Sequence, residues 1–131
     1  GRMLVQQRTS CKVIWPGRWD VSAAGGVDAG EDSRMAAERE CREELGYPLD
    51  LTGVRATLSV NFPQGFDDFF LVERDVDLKA LKLQPEEVAQ VRWVTLEEAE
   101  AMAADGRFIP YPEGFLRFLF SMRGKFGFPT K

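Results

Sequence analysis

The amino-acid sequence predicts a single α/β domain in which helices cover both faces of a mixed β-sheet. Strand-like segments lie before and after one helical segment, and two further helical segments close the chain. This order favours a mixed sheet over a regularly alternating parallel one. The chain has 131 residues, 44% hydrophobic and 29% charged, and neither a repeat nor a linker divides it. We therefore expect one domain over residues 1–131.

Two short strands are predicted before the first helix. Met3–Arg8 has a strand pattern, and the turn-forming residues 15–17 end the segment that follows it. A second extended piece is predicted over residues 21–24, before Gly25 and Gly26. Because the chain opens like the second arm of a hairpin, we expect that the domain lacks its N-terminal strand.

The first helix is predicted from about Asp32 to Gly46, in a segment rich in Ala, Glu and Arg. At the start of the helix, Asp32 or Ser33 can accept hydrogen bonds from the first free amides. At its end, Gly46 can adopt the left-handed backbone conformation that often terminates a helix. The buried stripe is predicted to contain residues that recur every four positions, namely Ala37, Cys41 and Leu45.

Three strands and two helices are predicted in the second half of the chain. The strands cover residues 51–62, 68–76 and 88–94, with a turn at 63–65 and a connection over 78–87. Thr95 and Glu98 have the spacing of a capping box, which predicts a helix from there to about residue 105. A last helix over residues 112–123 is expected to bury three side chains: Phe115, Phe118 or Leu119, and Met122.

Composition excludes several classes of function. No stretch approaches the roughly 18 to 20 apolar residues of a membrane span, and a net charge of −4 disfavours nonspecific nucleic-acid binding. We expect neither a membrane nor a nucleic-acid partner. Two cysteines and no histidine cannot form a disulfide framework or the common zinc sites. Without an apolar signal stretch in the first eight residues, the expected compartment is the cytoplasm.

The residues suited to chemistry lie in the loop before the first helix and along that helix. Seven of them follow the pattern G-x5-E-x7-R-E-C-x-E-E-L-G-Y: Gly25, Glu31, Arg39, Glu40, Glu43, Glu44 and Gly46. Because residues three and four apart share a helix face, the last three glutamates are expected to converge. A divalent cation would offset their repulsion, and all-oxygen ligation selects Mg2+ or Mn2+ over zinc. The alternative is a solvated helix whose acids pair with Arg39 and Arg42.

This pattern resembles the Nudix box, although Cys41 and Tyr47 stand where the family has bulky aliphatic residues. The resemblance implies a Nudix-type α/β/α sandwich and Mg2+-dependent hydrolysis of a small-molecule diphosphate, with Mn2+ as the other candidate ion. It implies that the metal is held by Glu40 and Glu44, with Glu43 and the carbonyl of Gly25. It further implies that Glu31 lies near Arg39 and orients the helix start. A homodimer stays open by the same resemblance.

Segments outside the box resemble one Nudix branch, whose members are often labelled isopentenyl diphosphate isomerase-like. These segments are residues 6–8, 15–20, 67–72, 86–88 and 91–94. The isomerases build their metal site with histidines and carry a cysteine in the segment that corresponds to residues 21–26. This chain has neither feature, so isomerase activity is a remote alternative. The nearer alternative is a catalytically silent Nudix module that binds a nucleotide.

Four residues are candidates for substrate binding. Trp19 and Phe66 are suited to stack on a base or an isoprenoid chain, and the competing interpretation for each is core packing. Arg8 and Arg18 are suited to contact phosphates through a charge-assisted fork, and the competing interpretation is simple exposure. Nucleotide and isoprenoid diphosphates both remain open as substrates.

The general base has candidates on two segments, because the family places it either on the box or on a downstream loop. On the box it would be one of the glutamates described above. On the loop the candidates are Glu86 and Glu87, which come just before the strand that ends in Val94. The competing interpretation of this pair is two solvated acids in a turn after Pro85.

Overall fold

The computed structural model describes residues 1–23 and 26–125. Within these ranges the elements are β1 (Met3–Arg8), β2 (Trp19–Val21), α1 (Ser33–Leu45), β3 (Leu58–Phe62), β4 (Gly65–Phe69), a 3-10 turn (Leu78–Ala80), β5 (Val88–Val94), α2 (Leu96–Ala104) and α3 (Phe115–Ser121). In the same ranges, every helix is too short or too polar to span a bilayer.

Strand β1 is the centre of the main sheet. It pairs antiparallel with β2 on one side and with β5 on the other, and β3 and β4 form a separate antiparallel hairpin. A parallel bridge joins Trp19 of β2 to Phe108, just after α2. In the described ranges this bridge is the parallel pairing, and the pairings between named strands are antiparallel.

Helices cover both faces of this sheet, because successive side chains of β1 point in opposite directions. Leu4 packs with Cys41 and Leu45 of α1 and with Val88. Val5 lies in the other layer, which contains Trp19, Val94, Ala99, Met102, Phe108, Leu116 and Leu119. The predicted α/β/α sandwich is therefore confirmed, with α1 on one face and α2 and α3 on the other.

Both ends of α1 follow their predicted signals. The Asp32 carboxylate accepts a 2.8 Å hydrogen bond from the amide of Met35, so Asp32 rather than Ser33 is the N-cap. Gly46 ends the helix with φ 66°, and its amide donates to the carbonyl of Arg42. A Cβ at Gly46 would lie 2.9 Å from the Cβ of Lys82, so this position requires glycine for space as well as for backbone conformation.

The buried stripe of α1 differs from the predicted one. Cys41 and Leu45 are buried as predicted, but Ala36 and Glu44 are buried with them and Ala37 is only half-buried. The stripe is rotated toward β1, where the side chain of Gln6 donates a hydrogen bond to the buried Glu44.

Three predicted strands have different bounds. The second strand is Trp19–Val21 rather than 21–24, of which residue 24 lies outside the described ranges. Strand β3 keeps only Leu58–Phe62 of the predicted 51–62, because residues 51–54 turn through a bond from the Val54 amide to the Leu51 carbonyl. Strand β4 is Gly65–Phe69 instead of 68–76, because Phe62 pairs with Gly65 across a two-residue turn.

The last three elements agree more closely with the sequence. Strand β5 has the predicted bounds, and α2 begins after a capping box in which Thr95 and Glu98 bond each other's backbone amides at 3.2 and 3.0 Å. Helix α3 is shorter than predicted. It buries Leu119, the second of the two alternatives, and Met122 follows it as a buried residue. Phe118 is exposed, Phe115 is half-buried, and the buried Leu116 was not expected.

Candidate active site

Arg39, in the middle of α1, is the centre of a network of carboxylates. Its Nε and Nη2 donate to the two oxygens of Glu31 at 2.8 and 3.1 Å. Its Nη1 donates to Glu40 at 2.7 Å and to Glu43 at 3.2 Å. Nη2 also donates to the carbonyl of Gly26 at 2.9 Å, so one guanidinium ties the loop to the helix. The contact of Glu31 with Arg39 is the one that the resemblance implies.

This network shifts the ionisation of its members. The hydrogen bonds from Arg39 lower the pKa of Glu31, and the bond from the amide of Asp28 adds to the effect. The same contact with Glu31 raises the pKa of Arg39, with a further contribution from Glu40. Both shifts stabilise the charged forms, so the fork between loop and helix is an ion pair at neutral pH.

Glu44 is the box glutamate that faces the sheet. It is 6% exposed, and its Oε1 accepts a 2.8 Å hydrogen bond from Nε2 of Gln6 on β1. The same Nε2 donates to the carbonyl of Ser22 at 2.7 Å. The acid on α1 and the backbone that follows β2 are therefore held by one amide group.

The three glutamates that are predicted to converge have different partners in this structure. Glu44 contacts Gln6, whereas Glu40 and Glu43 contact Arg39, and Glu43 is about half exposed. Among residues 1–23 and 26–125, no three His, Cys, Asp or Glu side chains lie close enough to hold a metal ion. The physical reason is that Arg39 provides the positive charge that the two outer acids need. Gly25, the fourth expected ligand, lies outside the described residues.

A cleft of about 1370 Å³ opens beside the box, between α1 and the β3–β4 hairpin. Glu31 and Glu40 line it from the box, and Phe66 lines it from the hairpin. Phe66 is 61% exposed, so its ring is accessible from the cleft. Asp68 fastens the hairpin to the helix start by accepting a 2.6 Å hydrogen bond from Ser33. No sequence pattern indicated this role for Asp68.

Trp19 is not accessible to a ligand, which corrects the prediction that it forms a wall of the binding site. Its side chain is 5% exposed and packs in the layer with α2 and α3. The guanidinium of Arg92 lies 5.4 Å from its ring centroid. The competing interpretation, core packing, is the right one because β2 directs this ring toward the helices.

The two candidate arginines contact the loop between β1 and β2. Nε of Arg8 donates to the carbonyl of Ile14 at 3.0 Å, and the guanidinium of Arg18 lies over Trp15 at 5.2 Å. Neither arginine is among the residues that line the cleft beside the box. The structure therefore does not bring them together with the box glutamates.

The loop candidates for the base lie in a second, smaller cavity of about 410 Å³, which Arg8 also lines. Glu87 forms an ion pair with Lys12. The carbonyl of Glu86 accepts a 3.0 Å bond from the hydroxyl of Thr9. These contacts fasten the first loop to the start of β5, and they are separate from the cleft beside the box.

A buried acid that no sequence pattern indicated is Asp20, on β2. Its Oδ1 accepts bonds from the hydroxyl of Tyr111 at 2.6 Å and from the amide of Val21 at 2.7 Å. Burial raises the pKa of Asp20 in spite of these bonds, and burial likewise raises the pKa of Tyr111. Tyr111 stacks on Phe115 with 4.9 Å between ring centroids and lines the cleft.

Comparison with known proteins identifies the family to which this chain is similar. The NUDIX domain model matches residues 1–112. An uncharacterized Nudix hydrolase of Listeria monocytogenes is 50% identical over 123 residues, which are 94% of this chain and 72% of the relative. A protein of Cutibacterium acnes named isopentenyl-diphosphate Delta-isomerase is 31% identical over 115 residues, 79% of this chain and 58% of that protein.

A solved structure has the same fold. The crystal structure of DR0079 from Deinococcus radiodurans superposes with a TM-score of 0.70 at 24% identity, over 92% of this chain and 74% of that one. Since the domain model covers most of the sequence and the Listeria relative is half identical over nearly all of it, the chain belongs to the Nudix family of hydrolases.

Proposed function

We propose that the protein is a Mg2+-dependent hydrolase that cleaves the diphosphate linkage of a nucleoside diphosphate derivative or a related small organic diphosphate. The observation that carries this proposal is the buried carboxylate of Glu44, on the helix that also contributes Glu40 to the wall of the cleft. Burial of a carboxylate is costly, so a buried acid on a helix that lines a cleft is a candidate functional group. The name of the Listeria relative agrees with a hydrolase.

The donor chemistry of α1 fits a hard divalent cation. Glu40, Glu43 and Glu44 offer only carboxylate oxygens and lie within about one turn of the helix. Glu40 and Glu44 would hold Mg2+, or Mn2+ in its place, together with Glu43 and the carbonyl of Gly25. When bound, the ion would neutralise phosphate charge and acidify a water.

The remaining box residues hold and orient this site. Arg39 joins Glu31 and the carbonyl of Gly26, so it keeps the loop against the helix start. We place the general base on the box rather than on Glu86 or Glu87, because those two line the other cavity and Glu87 is paired with Lys12.

For the organic part of the substrate we propose contact with Phe66. This ring is exposed and lines the same cleft as Glu31 and Glu40. We do not assign Arg8 or Arg18 to the phosphates, since their contacts lie on the loop between β1 and β2. Base-like and isoprenoid groups both suit an aromatic wall.

The direct test is a Mg2+-dependent hydrolysis screen with Glu44→Gln as the blank. The substrates are nucleoside diphosphate sugars, dinucleotides, nucleoside triphosphates and isoprenoid diphosphates. We expect the wild type to cleave one class and Glu44→Gln to lose the activity while staying folded, because the amide cannot provide the carboxylate. Glu97→Gln, which neutralises an exposed acid on α2, is the matched control and should stay active. Equal activity of Glu44→Gln and the wild type would place the metal site elsewhere.

Two alternatives have distinct outcomes in the same screen. A silent binding module would bind the metal and a diphosphate without releasing product. An isomerase would convert isopentenyl diphosphate without releasing phosphate, and the Cutibacterium relative carries that name. The absence of histidine from this chain favours the hydrolase over the isomerase.

We further propose that the protein acts in the cytoplasm. Cys11 and Cys41 are both free thiols, and Cys41 is buried where no disulfide partner reaches it. Unpaired cysteines are typical of a reducing compartment. Fractionation of cells that express the full-length protein tests this proposal, and sedimentation of the purified protein decides between a monomer and a homodimer.

A further inference from the structure

We infer that Gln6 is a positioning residue of the active site, whose amide sets the place of the Glu44 carboxylate relative to the segment that leads into the box loop. The inference rests on the proposed function to the extent that Glu44 binds the metal. It concerns a residue outside the box, on another element of the fold.

Gln6 lies on the central strand of the main sheet. On β1 it pairs with Asp20 of β2 on one side and with Val91 of β5 on the other. Its side chain is 4% exposed and shares a strand face with Leu4, which packs against α1. Because β1 is paired on both sides, the backbone that carries this side chain has little freedom to move, as a positioning group requires.

Both hydrogens of the Gln6 amide are used. One is donated to the carbonyl of Ser22 at 2.7 Å and the other to Oε1 of Glu44 at 2.8 Å. A primary amide has two donors, so the pair of bonds accounts for its full donating capacity. Ser22 is further held by its own hydroxyl, which donates to the carbonyl of Leu4. These bonds fix the position of the Glu44 carboxylate relative to β1 and to Ser22, which follows β2.

The choice of an amide is suited to this task. Glutamine donates to the carboxylate without bringing a positive charge that would compete with a cation. An arginine or lysine in place of Gln6 would form an ion pair with Glu44 and compete with the metal. The outer acids Glu40 and Glu43 are in that paired state with Arg39. Gln6 therefore orients the Glu44 carboxylate through a neutral donor, whereas the donor to Glu40 and Glu43 is charged.

The test is the affinity for Mn2+, measured without substrate from the electron paramagnetic resonance signal of the free ion. Gln6→Met keeps the length of the side chain and removes both donors. Loss of a group that orients a metal ligand costs about 10- to 100-fold in affinity or activity, so Gln6→Met should bind Mn2+ at least about tenfold more weakly. In the hydrolysis assay kcat should fall in parallel.

Gln7→Met is the matched control. Gln7 is the next residue on β1, and its amide also makes two hydrogen bonds, to the carbonyl of Gly17 at 3.1 Å and from Gln90 at 2.7 Å. Neither partner belongs to the box. We expect Gln7→Met to bind Mn2+ like the wild type, although it loses a comparable pair of bonds.

The outcomes separate this inference from the proposed function. Weaker Mn2+ binding by Gln6→Met alone supports the inference even where no diphosphate is hydrolysed, a result that would refute only the proposed hydrolase. Wild-type Mn2+ affinity and kcat in Gln6→Met overturn the inference, as does an equal loss in both variants. Absence of Mn2+ binding by the wild type overturns both proposals. If Gln6→Met does not fold, Gln6→Asn and Gln7→Asn replace the pair, with the same expected contrast and the same contradicting results.

Discussion

At the scale of single residues, the guanidinium of Arg39 organises the box. Its planar fork matches the two oxygens of Glu31, and a third nitrogen serves Glu40 and Glu43. The side chain is 20% exposed, so water screens these pairs less than it screens open surface pairs. A lysine would keep the charge but cannot reproduce the fork.

Arg39→Lys is therefore predicted to lower kcat for Mg2+-dependent hydrolysis by about 10- to 100-fold, the range for loss of a group that orients metal ligands. Arg117→Lys is the matched control, because Arg117 also binds a glutamate, Glu100, with two nitrogens, but on the exposed surface of α2 and α3. Unchanged activity in Arg39→Lys, or an equal loss in the control, would show that the fork does not orient the site.

Asp20 gives a prediction for the pH dependence of stability. Burial raises its pKa above the ordinary 3.8, so the native state holds this proton more tightly than the unfolded chain does. The free energy of unfolding therefore falls as the pH rises from 3.8 through the raised pKa. Asn cannot ionise and keeps the acceptor for Tyr111. The stability of Asp20→Asn relative to the wild type, measured by urea denaturation, should increase as the pH rises from 3.8 through the raised pKa.

Asp105→Asn controls for the sign of this effect. The hydrogen bond from Arg107 lowers the pKa of Asp105, so its charge contributes stability above pH 3.8 that is lost as the pH falls through the lowered pKa. Replacing it should reduce stability at neutral pH relative to the wild type. If the stability difference of Asp20→Asn is constant with pH, the raised pKa of Asp20 is contradicted.

At the scale of elements, helix α1 was the most predictable because its signals are local. Asp32 at the start and Gly46 at the end are read from residue type and position alone. The capping box of α2 is of the same kind. The bounds of β3 and β4 were not predictable, because alternation of apolar residues continues beyond the point where the backbone stops pairing.

The end of α1 gives a prediction at this scale. Gly46→Ala should destabilise the protein by more than the roughly 1 to 2 kcal/mol that a left-handed residue costs, because the new Cβ would also meet the backbone and Cβ of Lys82. Gly53→Ala is the control, since Gly53 has φ 75° but no atom within 4 Å of an added Cβ. Urea denaturation compares the two, and equal losses would contradict the close contact at Lys82.

At the scale of the whole molecule, the site forms where the layers meet. Residues of α1 provide the acids, β1 provides Gln6 between α1 and β2, and the hairpin closes the other side of the cleft through Asp68. The layer order was predictable from the order of strands and helices. The contacts were not, because they join residues 38 and 35 positions apart in the sequence.

The candidate site was predictable in part for the same reason. The box residues lie within one loop and helix, so a pattern of residue types along the chain identifies them. The burial of Trp19 was not predictable, because the sequence does not show which side of β2 faces the helices. The burial of Gln6 could have been predicted, because alternation along β1 puts it on the same face as the core residue Leu4. A polar residue on a core-facing position is a candidate partner for a buried acid.

The most direct measurement of the proposed activity is 31P NMR of the full-length protein with Mg2+ and the substrate class selected by the screen. The wild type should convert the diphosphate resonances into those of two separate phosphate-containing products, and Glu44→Gln should leave them unchanged. Resonances that stay unchanged with the folded wild type, under conditions in which the metal and the diphosphate are bound, would contradict the hydrolase and support a binding module.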